Sequence, residues 1–132
     1  DPAVVEDGVF IGPAVVLTND RYPRAVSPDG NLRDANDWDP VGVTIRQGAS
    51  IGARSVCVAP VTIGEWALVA AGSTVIRDVP PFALVAGSPA KRLGWVGKAG
   101  VPLEQRDHGI WVCPVTQDHY YETDQGLREA GT

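Results

Sequence analysis

Nine short segments of this chain share one six-residue pattern. Each opens on an aliphatic-type residue: Val5, Ile11 and Leu17, then Ile45, Ile51, Cys57, Ile63, Val69 and Val75. Four places after the opener the complete hexads carry Val9, Val15, Ala49, Ser55, Val61, Ala67, Ser73 and Val79, residues small enough for a tight corner. Glycine follows Ile11, Ile51 and Ile63. A period of six held in phase from Ile45 to Val79 fits neither a helix repeat nor simple strand alternation. It is the period of a parallel β-helix, in which each hexad makes one short strand and one corner. The expected fold is therefore all-β.

If three hexads make one triangular turn, residues 45–80 form two uninterrupted coils of 18 residues. Stacked strands would then lie about 4.8 Å apart along the axis. The openers point inward and stack on their equivalents one coil away: Ile45 on Ile63, Ile51 on Val69, Cys57 on Val75. The phase breaks once, because Leu17 and Ile45 are 28 residues apart, which is not a multiple of six. The stretch Asn19–Pro40, rich in Asp, Arg, Pro, Gly and Asn, reads as a loop thrown out of the coil. Asp78-Val79-Pro80-Pro81 ends the last coil, since consecutive prolines cannot donate to a ladder. Phe82–Val85 adds a final short strand, and Gly87-Ser88-Pro89 makes a turn. Residues 1–96 are read as the β-helix with its loop at 19–40. Residues 97–132 carry no period and are read as an irregular C-terminal tail, with Trp111, Tyr120 and Tyr121 suited to docking on a surface.

Composition narrows the classes. A hydrophobic share of 44% with 20% charged residues is globular. A net charge of −5 and a pI near 4.8 argue against nucleic-acid binding. No apolar run approaches the roughly 20 residues that span a bilayer, and no signal segment opens the chain. A cytoplasmic location is the default expectation. The chain has no methionine and begins in mid-pattern, so it is read as part of a longer protein.

Two places in the pattern are suited to chemistry. The loop opens Thr18-Asn19-Asp20-Arg21-Tyr22-Pro23-Arg24, polar groups placed just after a rigid strand. Asn19 donates and accepts hydrogen bonds, and Asp20 accepts a proton if well placed. Arg21, Arg24 and Arg33 are suited to phosphate or carboxylate. The same residues also fit a solvated loop. The second place is a line of small residues: Ala53, Ala71 and Pro89 are spaced 18 apart and would stack along one edge. That edge leaves room for an extended ligand beside exposed backbone amides, with Lys91 and Arg92 at its end for an anionic terminus. Taken alone, the line fits corner packing and a solvated basic pair better.

No histidine falls in the coils or the loop, since His108 and His119 lie after residue 100. Cys57 opens a hexad and reads as a core residue; the role of Cys113 is open. The His and Cys set is too sparse for zinc. Asp29, Asp34, Asp37 and Asp39 lack the Gly and Glu of a calcium loop. No metal is expected.

Longer stretches carry a resemblance. Gly8-Val9-Phe10-Ile11-Gly12-Pro13, Thr18-Asn19-Asp20 with Pro23-Arg24, Gly48-Ala49-Ser50-Ile51-Gly52-Ala53, Val61-Thr62-Ile63-Gly64-Glu65, Ala71-Gly72-Ser73 and Asp78-Val79-Pro80 match one family, continuing through Ala83–Arg92 to Gly94-Trp95. Together they resemble the hexapeptide-repeat acyltransferases, and among these the nucleotide-sugar 3-N-acetyltransferases. The resemblance implies a left-handed coil and a homotrimer with acetyl-CoA lying between neighbouring β-helices. It implies direct attack of a sugar amine on the thioester, with Asn19 holding the reacting groups and Asp20 as the lesser candidate for proton acceptor. Arg21, Tyr22 and Arg24 would face the nucleotide-sugar. The cofactor would run along Ala53, Ala71, Gly72 and Pro89 toward Lys91 and Arg92. An O-acetyltransferase of the same superfamily, or a non-catalytic β-helix that only oligomerises, are the competing expectations.

Overall fold

The structure is a computed structural model and describes residues 2–130. The hexads form a left-handed parallel β-helix, three strands to a coil. This hand is the exception to the right-handed crossover rule. The first coil holds β1 (Val4–Val5), β2 (Phe10–Ile11) and β3 (Val16–Leu17). The second holds β4 (Val43–Ile45), β5 (Ser50–Ile51) and β6 (Val56–Cys57), and the third β7 (Val61–Ile63), β8 (Leu68–Val69) and β9 (Thr74–Val75). Each coil sits on the next in parallel register: Ile45 pairs Ile63, Ile51 pairs Val69, and Cys57 pairs Val75. These are the opener pairs expected from an 18-residue turn.

The inward stack is dry. Ile45, Ile51, Cys57, Ile63, Val69 and Val75 are at most 1% exposed. Burying one such side chain is worth about 1.5–3 kcal/mol. The small fifth-place residues Ala49, Ser55, Ala67 and Ser73 are buried at the inner corners. Both serines satisfy their hydroxyls there. Ser55 Oγ and Ser73 Oγ each donate to the carbonyl of Ala70, at 3.1 and 2.6 Å. In the outer tier the openers Val5 and Ile11 are 49% and 40% exposed, since no described strand covers them.

The glycine after an opener has a steric cause. A Cβ on Gly12 would lie 2.7 Å from the Ala53 amide nitrogen, and one on Gly52 would lie 2.5 Å from that of Ala71. On Gly64 it would lie 2.5 Å from the nitrogen of Pro81. The obstacle is the backbone of the next coil each time, so it cannot rotate away. Corners repeat from tier to tier as well. Gly8, Gly48, Trp66 and Phe82 all take a left-handed φ near +60 to +70° at one edge. The Trp66 ring lies over Gly48, where any side chain would strike it.

The 18-residue step ends at Val79, which bridges Ile63 rather than Val61. The offset is now 16, and it stays 16 where β10 (Ala83–Gly87) pairs β8: Leu84 with Leu68, Val85 with Val69. Asp78 fills in for the shortened ladder, its Oδ1 accepting the Thr62 N–H at 2.8 Å. Strand β10 then turns back through Ser88-Pro89 into β11 (Ala90–Trp95), its antiparallel partner.

Beyond Val96 the structure departs from the sequence reading. The segment is not irregular. It forms a four-stranded antiparallel sheet of β12 (Glu104–Asp107), β13 (Ile110–Val112), β14 (His119–Thr123) and β15 (Gly126–Glu129). Its docking is through Tyr120 and Leu127, each 1% exposed. Tyr120 packs its ring on Phe82 at 5.2 Å and accepts the Lys98 N–H at 3.0 Å. The sheet left no period in the sequence because β12 is exposed throughout and each other strand buries only one or two side chains.

Candidate functional site

The loop leaves and re-enters the coil at one neck. Thr18, just past β3, accepts the Ala59 N–H on its hydroxyl at 2.8 Å. The Asn19 carbonyl then accepts the Val41 N–H at 3.0 Å, which closes the loop on itself. Inside the loop Arg33 acts as a clamp. Its guanidinium donates to the Asp37 carbonyl at 2.8 Å and, more loosely, to those of Arg24 at 3.4 Å and Tyr22 at 3.5 Å. Asp34 and Asp37 are tied to backbone amides within the turn, each at 2.8 Å. A polar segment with little to bury is thereby held by hydrogen bonds to its own carbonyls.

The clamp encloses a pocket of about 470 Å³ lined by Asp20, Arg21, Tyr22, Arg33, Asp37, Trp38, Asp39 and Val41. Four of the six loop residues singled out in the sequence, Asp20, Arg21, Tyr22 and Arg33, are brought together there. Asn19 stands at the neck beside it, exposed. Arg24 does not line it and contributes only its carbonyl to the clamp. Asp20 keeps one carboxylate oxygen on the Tyr22 N–H at 3.1 Å. Arg21 makes no ion pair among the described residues, and its guanidinium lies 6.0 Å from the Tyr22 ring centroid. Trp38 escaped the sequence reading, which weighed Asp37 and Asp39 only as calcium ligands. The only signal was their position at the returning end of the loop, which lies against its start once the neck closes.

The small-residue line exists for two tiers. The Ala53 carbonyl accepts the Gly72 N–H at 2.8 Å, and the Arg54 N–H reaches the carbonyl of Pro13 at 3.0 Å, so these corners stack. Ala71 and Gly72 are exposed. Pro89 does not extend the line. The shift to a 16-residue offset carries it two residues past the next tier, into the turn between β10 and β11. Lys91 and Arg92 accordingly lie on the returning strand, opposite Ala86 and Val85. The Arg92 guanidinium stacks 4.4 Å from the Trp95 ring centroid.

Neither His108 nor His119 lines the loop pocket, and both are exposed in the C-terminal sheet. Among the described residues no group of three or more His, Cys, Asp or Glu gathers in a way that could hold a metal ion. Cys113 is buried in a turn, where the Thr116 side chain, and after it the Thr116 N–H that its sulfur accepts at 3.4 Å, lower its pKa.

Cys57 is a core residue, as its place at a hexad opening requires. Burial pushes its thiol up from 9.0 to about 11. The native state thus holds this proton more tightly than the unfolded chain does. The stability tied to it is intact below pH 9 and is lost as pH rises toward 11. Denaturation midpoints should fall over that window more steeply in the parent than in Cys57→Val, and the difference between the two curves isolates the thiol.

No protein-family model matches the chain. It is 47% identical over 77 residues to a dTDP-3-amino-3,6-dideoxy-alpha-D-galactopyranose 3-N-acetyltransferase of Aneurinibacillus thermoaerophilus, a match covering 58% of this chain and 40% of the relative. It is 40% identical over 91 residues to serine acetyltransferase 4 of Arabidopsis thaliana, covering 67% of this chain and 24% of that one. Among solved structures, a hexapeptide-repeat-containing acetyltransferase of Vibrio cholerae complexed with acetyl coenzyme A superposes with a TM-score of 0.54 at 34% identity. That match covers 73% of this chain and 50% of the other. The chain therefore spans less than half the length of these curated relatives.

Proposed function

The chain belongs to the hexapeptide-repeat acyltransferase family, and from that premise we propose that it transfers an acetyl group from acetyl-CoA to the amine of a nucleotide-linked amino sugar. The observation that carries this reading is the loop pocket. It joins a carboxylate, Asp20, to Arg21 and Arg33 on a rigid coil edge. Arginines there suit a diphosphate. The relative that acetylates a dTDP-linked 3-amino sugar supports the acceptor class.

The chemistry needs little beyond placement. The neutral amine attacks the thioester carbonyl carbon, the C–S bond breaks, CoA leaves as its thiolate, and the amine proton passes to an acceptor. Holding amine and thioester at near-attack distance supplies most of the rate. Asn19, at the loop neck, would hydrogen-bond the amine or the thioester oxygen. The free oxygen of Asp20 is the nearby carboxylate for the proton. Acetyl-CoA would lie along Ala53, Ala71 and Gly72, where the corner is small and backbone is exposed, with Lys91 or Arg92 toward its phosphates. A homotrimer is proposed with it, each cofactor lying between two coils.

Ala71→Leu should block that path. The position is exposed, so the larger side chain points away from the inward stack and leaves the core as it is. CoA affinity measured by calorimetry should fall at least about tenfold. Binding equal to the parent would place the cofactor elsewhere. The acceptor is tested by CoA release with a panel of 3-amino sugar nucleotides and serine. Turnover of serine alone would replace this reading with that of the serine acetyltransferases, which match the same coils. No turnover of either acceptor by a chain that binds CoA would favour a scaffold.

A further inference from the structure

Below the third coil, Pro80-Pro81 and the turn between β14 and β15 border a second, open cavity of about 490 Å³. It shares no lining residue with the loop pocket. Its apolar wall includes Val79, Pro80, Pro81 and Trp95. Trp95 is only 6% exposed, yet its indole N–H has no acceptor among the described residues. A buried donor left unpaired is costly, so an unpaired one in a cavity wall points to an acceptor that arrives from outside the chain. Arg92 already stacks on the indole ring, which leaves the N–H edge as the group on offer.

The rest of the lining states which ligand. Glu65, Asp78 and Asp124 contribute three carboxylates. Asp78 spends one oxygen on the Thr62 N–H at 2.8 Å, and neither Glu65 nor Asp124 has a side-chain partner among the described residues. Arg46, the one basic residue in the lining, is held by Glu6 at 2.9 Å. The wall carrying Asp124 is preformed. Thr123 Oγ1 donates to the Gly126 carbonyl at 2.8 Å and accepts the Gln125 N–H at 3.1 Å. Gly126, at φ +121°, lets that turn press on the prolines, since a Cβ there would lie 3.0 Å from Pro80 Cβ and Pro81 Cδ.

We propose that this cavity binds a small protonated amine that also carries hydroxyl or ether oxygens, the chemistry of an amino sugar. The ammonium sits among the carboxylates as a charge-assisted donor. A hydroxyl or ring oxygen accepts the Trp95 N–H, and the carbon face of the ligand packs on the prolines. The site is separate from the loop pocket and does not rest on acetyl transfer.

The test uses the Trp95 indole N–H signal in ¹⁵N-labelled protein, one of four indoles in the chain, identified through Trp95→Phe. Glucosamine is titrated at mildly acidic pH, with glucose and glucuronate as controls. The Trp95 signal should move saturably with glucosamine, and glucose should bind at least about tenfold more weakly. The Glu65→Gln, Asp124→Asn double variant should lose affinity to a similar degree while its backbone spectrum stays as in the parent. A stationary Trp95 signal, equal binding of glucose, or full affinity in the double variant would each overturn the proposal. Should Trp95→Phe fail to fold, sequential backbone assignment identifies the signal. Shifts confined to the loop around Arg21 and Tyr22 would place the amine in the loop pocket and also overturn it. Because the readout is not turnover, its failure leaves the acyltransferase reading standing, and the reverse holds too.

Discussion

Asn19→Ala is expected to lower kcat by about 100-fold, near 2.7 kcal/mol of transition-state stabilisation, with the affinity for CoA little changed. The split follows from where Asn19 stands. Its carbonyl, which closes the loop neck on the Val41 N–H, belongs to the backbone and survives in alanine. Only the side-chain amide is lost, and the backbone bond that closes the neck stays. The small-residue line along Ala53 and Ala71 lies at a different corner of the coil and is untouched. A group that serves mainly the transition state shows itself in kcat. Steady-state rates with acetyl-CoA and an accepted amino-sugar nucleotide, beside calorimetric CoA binding, make the comparison. An unchanged kcat would remove Asn19 from the mechanism. Asp20→Asn should give a smaller loss, since solvent can also take the proton.

Gly52→Ala is expected to cost about 2–3 kcal/mol of stability, a large penalty for one methyl group. The added Cβ would meet the amide nitrogen of Ala71 at 2.5 Å and its Cα at 2.8 Å. Both atoms belong to the next coil, so relief requires the coils to part and the hydrogen bonds on either side to stretch. The Gly52 N–H to Val69 carbonyl bond, now 2.8 Å, is among those at risk. Gly94 in β11 is the control. A Cβ there meets nothing within 4 Å and its backbone is not in the left-handed region, so Gly94→Ala should change stability by no more than about 0.5 kcal/mol. Urea midpoints at equal protein concentration decide the matter. Equal midpoints for the two variants would mean that the coils are not locked by backbone contact at Gly52.

The amount legible in the sequence differs between parts of the molecule, and the reason is repetition. Between Ile45 and Val75 every side chain's direction follows from its place in the hexad, because each tier must match the one above it. The pairs Ile45–Ile63, Ile51–Val69 and Cys57–Val75 could therefore be written down before the structure, as could the buried state of Cys57. The glycines were visible too, but not their cause, which lies in the neighbouring coil. The start of the loop pocket was legible because polar residues broke the period at Asn19.

What the repeat does not govern, tertiary structure decided. A local shortening at Asp78–Pro80 changed the tier offset from 18 to 16, and Pro89 left the line that arithmetic assigned to it. The loop's far side, with Trp38 and Asp39, joined Asp20 only because Asn19 and Val41 close the neck and Arg33 gathers distant carbonyls. The C-terminal sheet was set by packing on Phe82 rather than by any pattern of its own, and with it came the cavity at Trp95. Sequence alone determined the coil, since a periodic chain states its own contacts. The corners, the loop and the cap depended on contacts between residues far apart in the chain, and only the folded molecule brings those together.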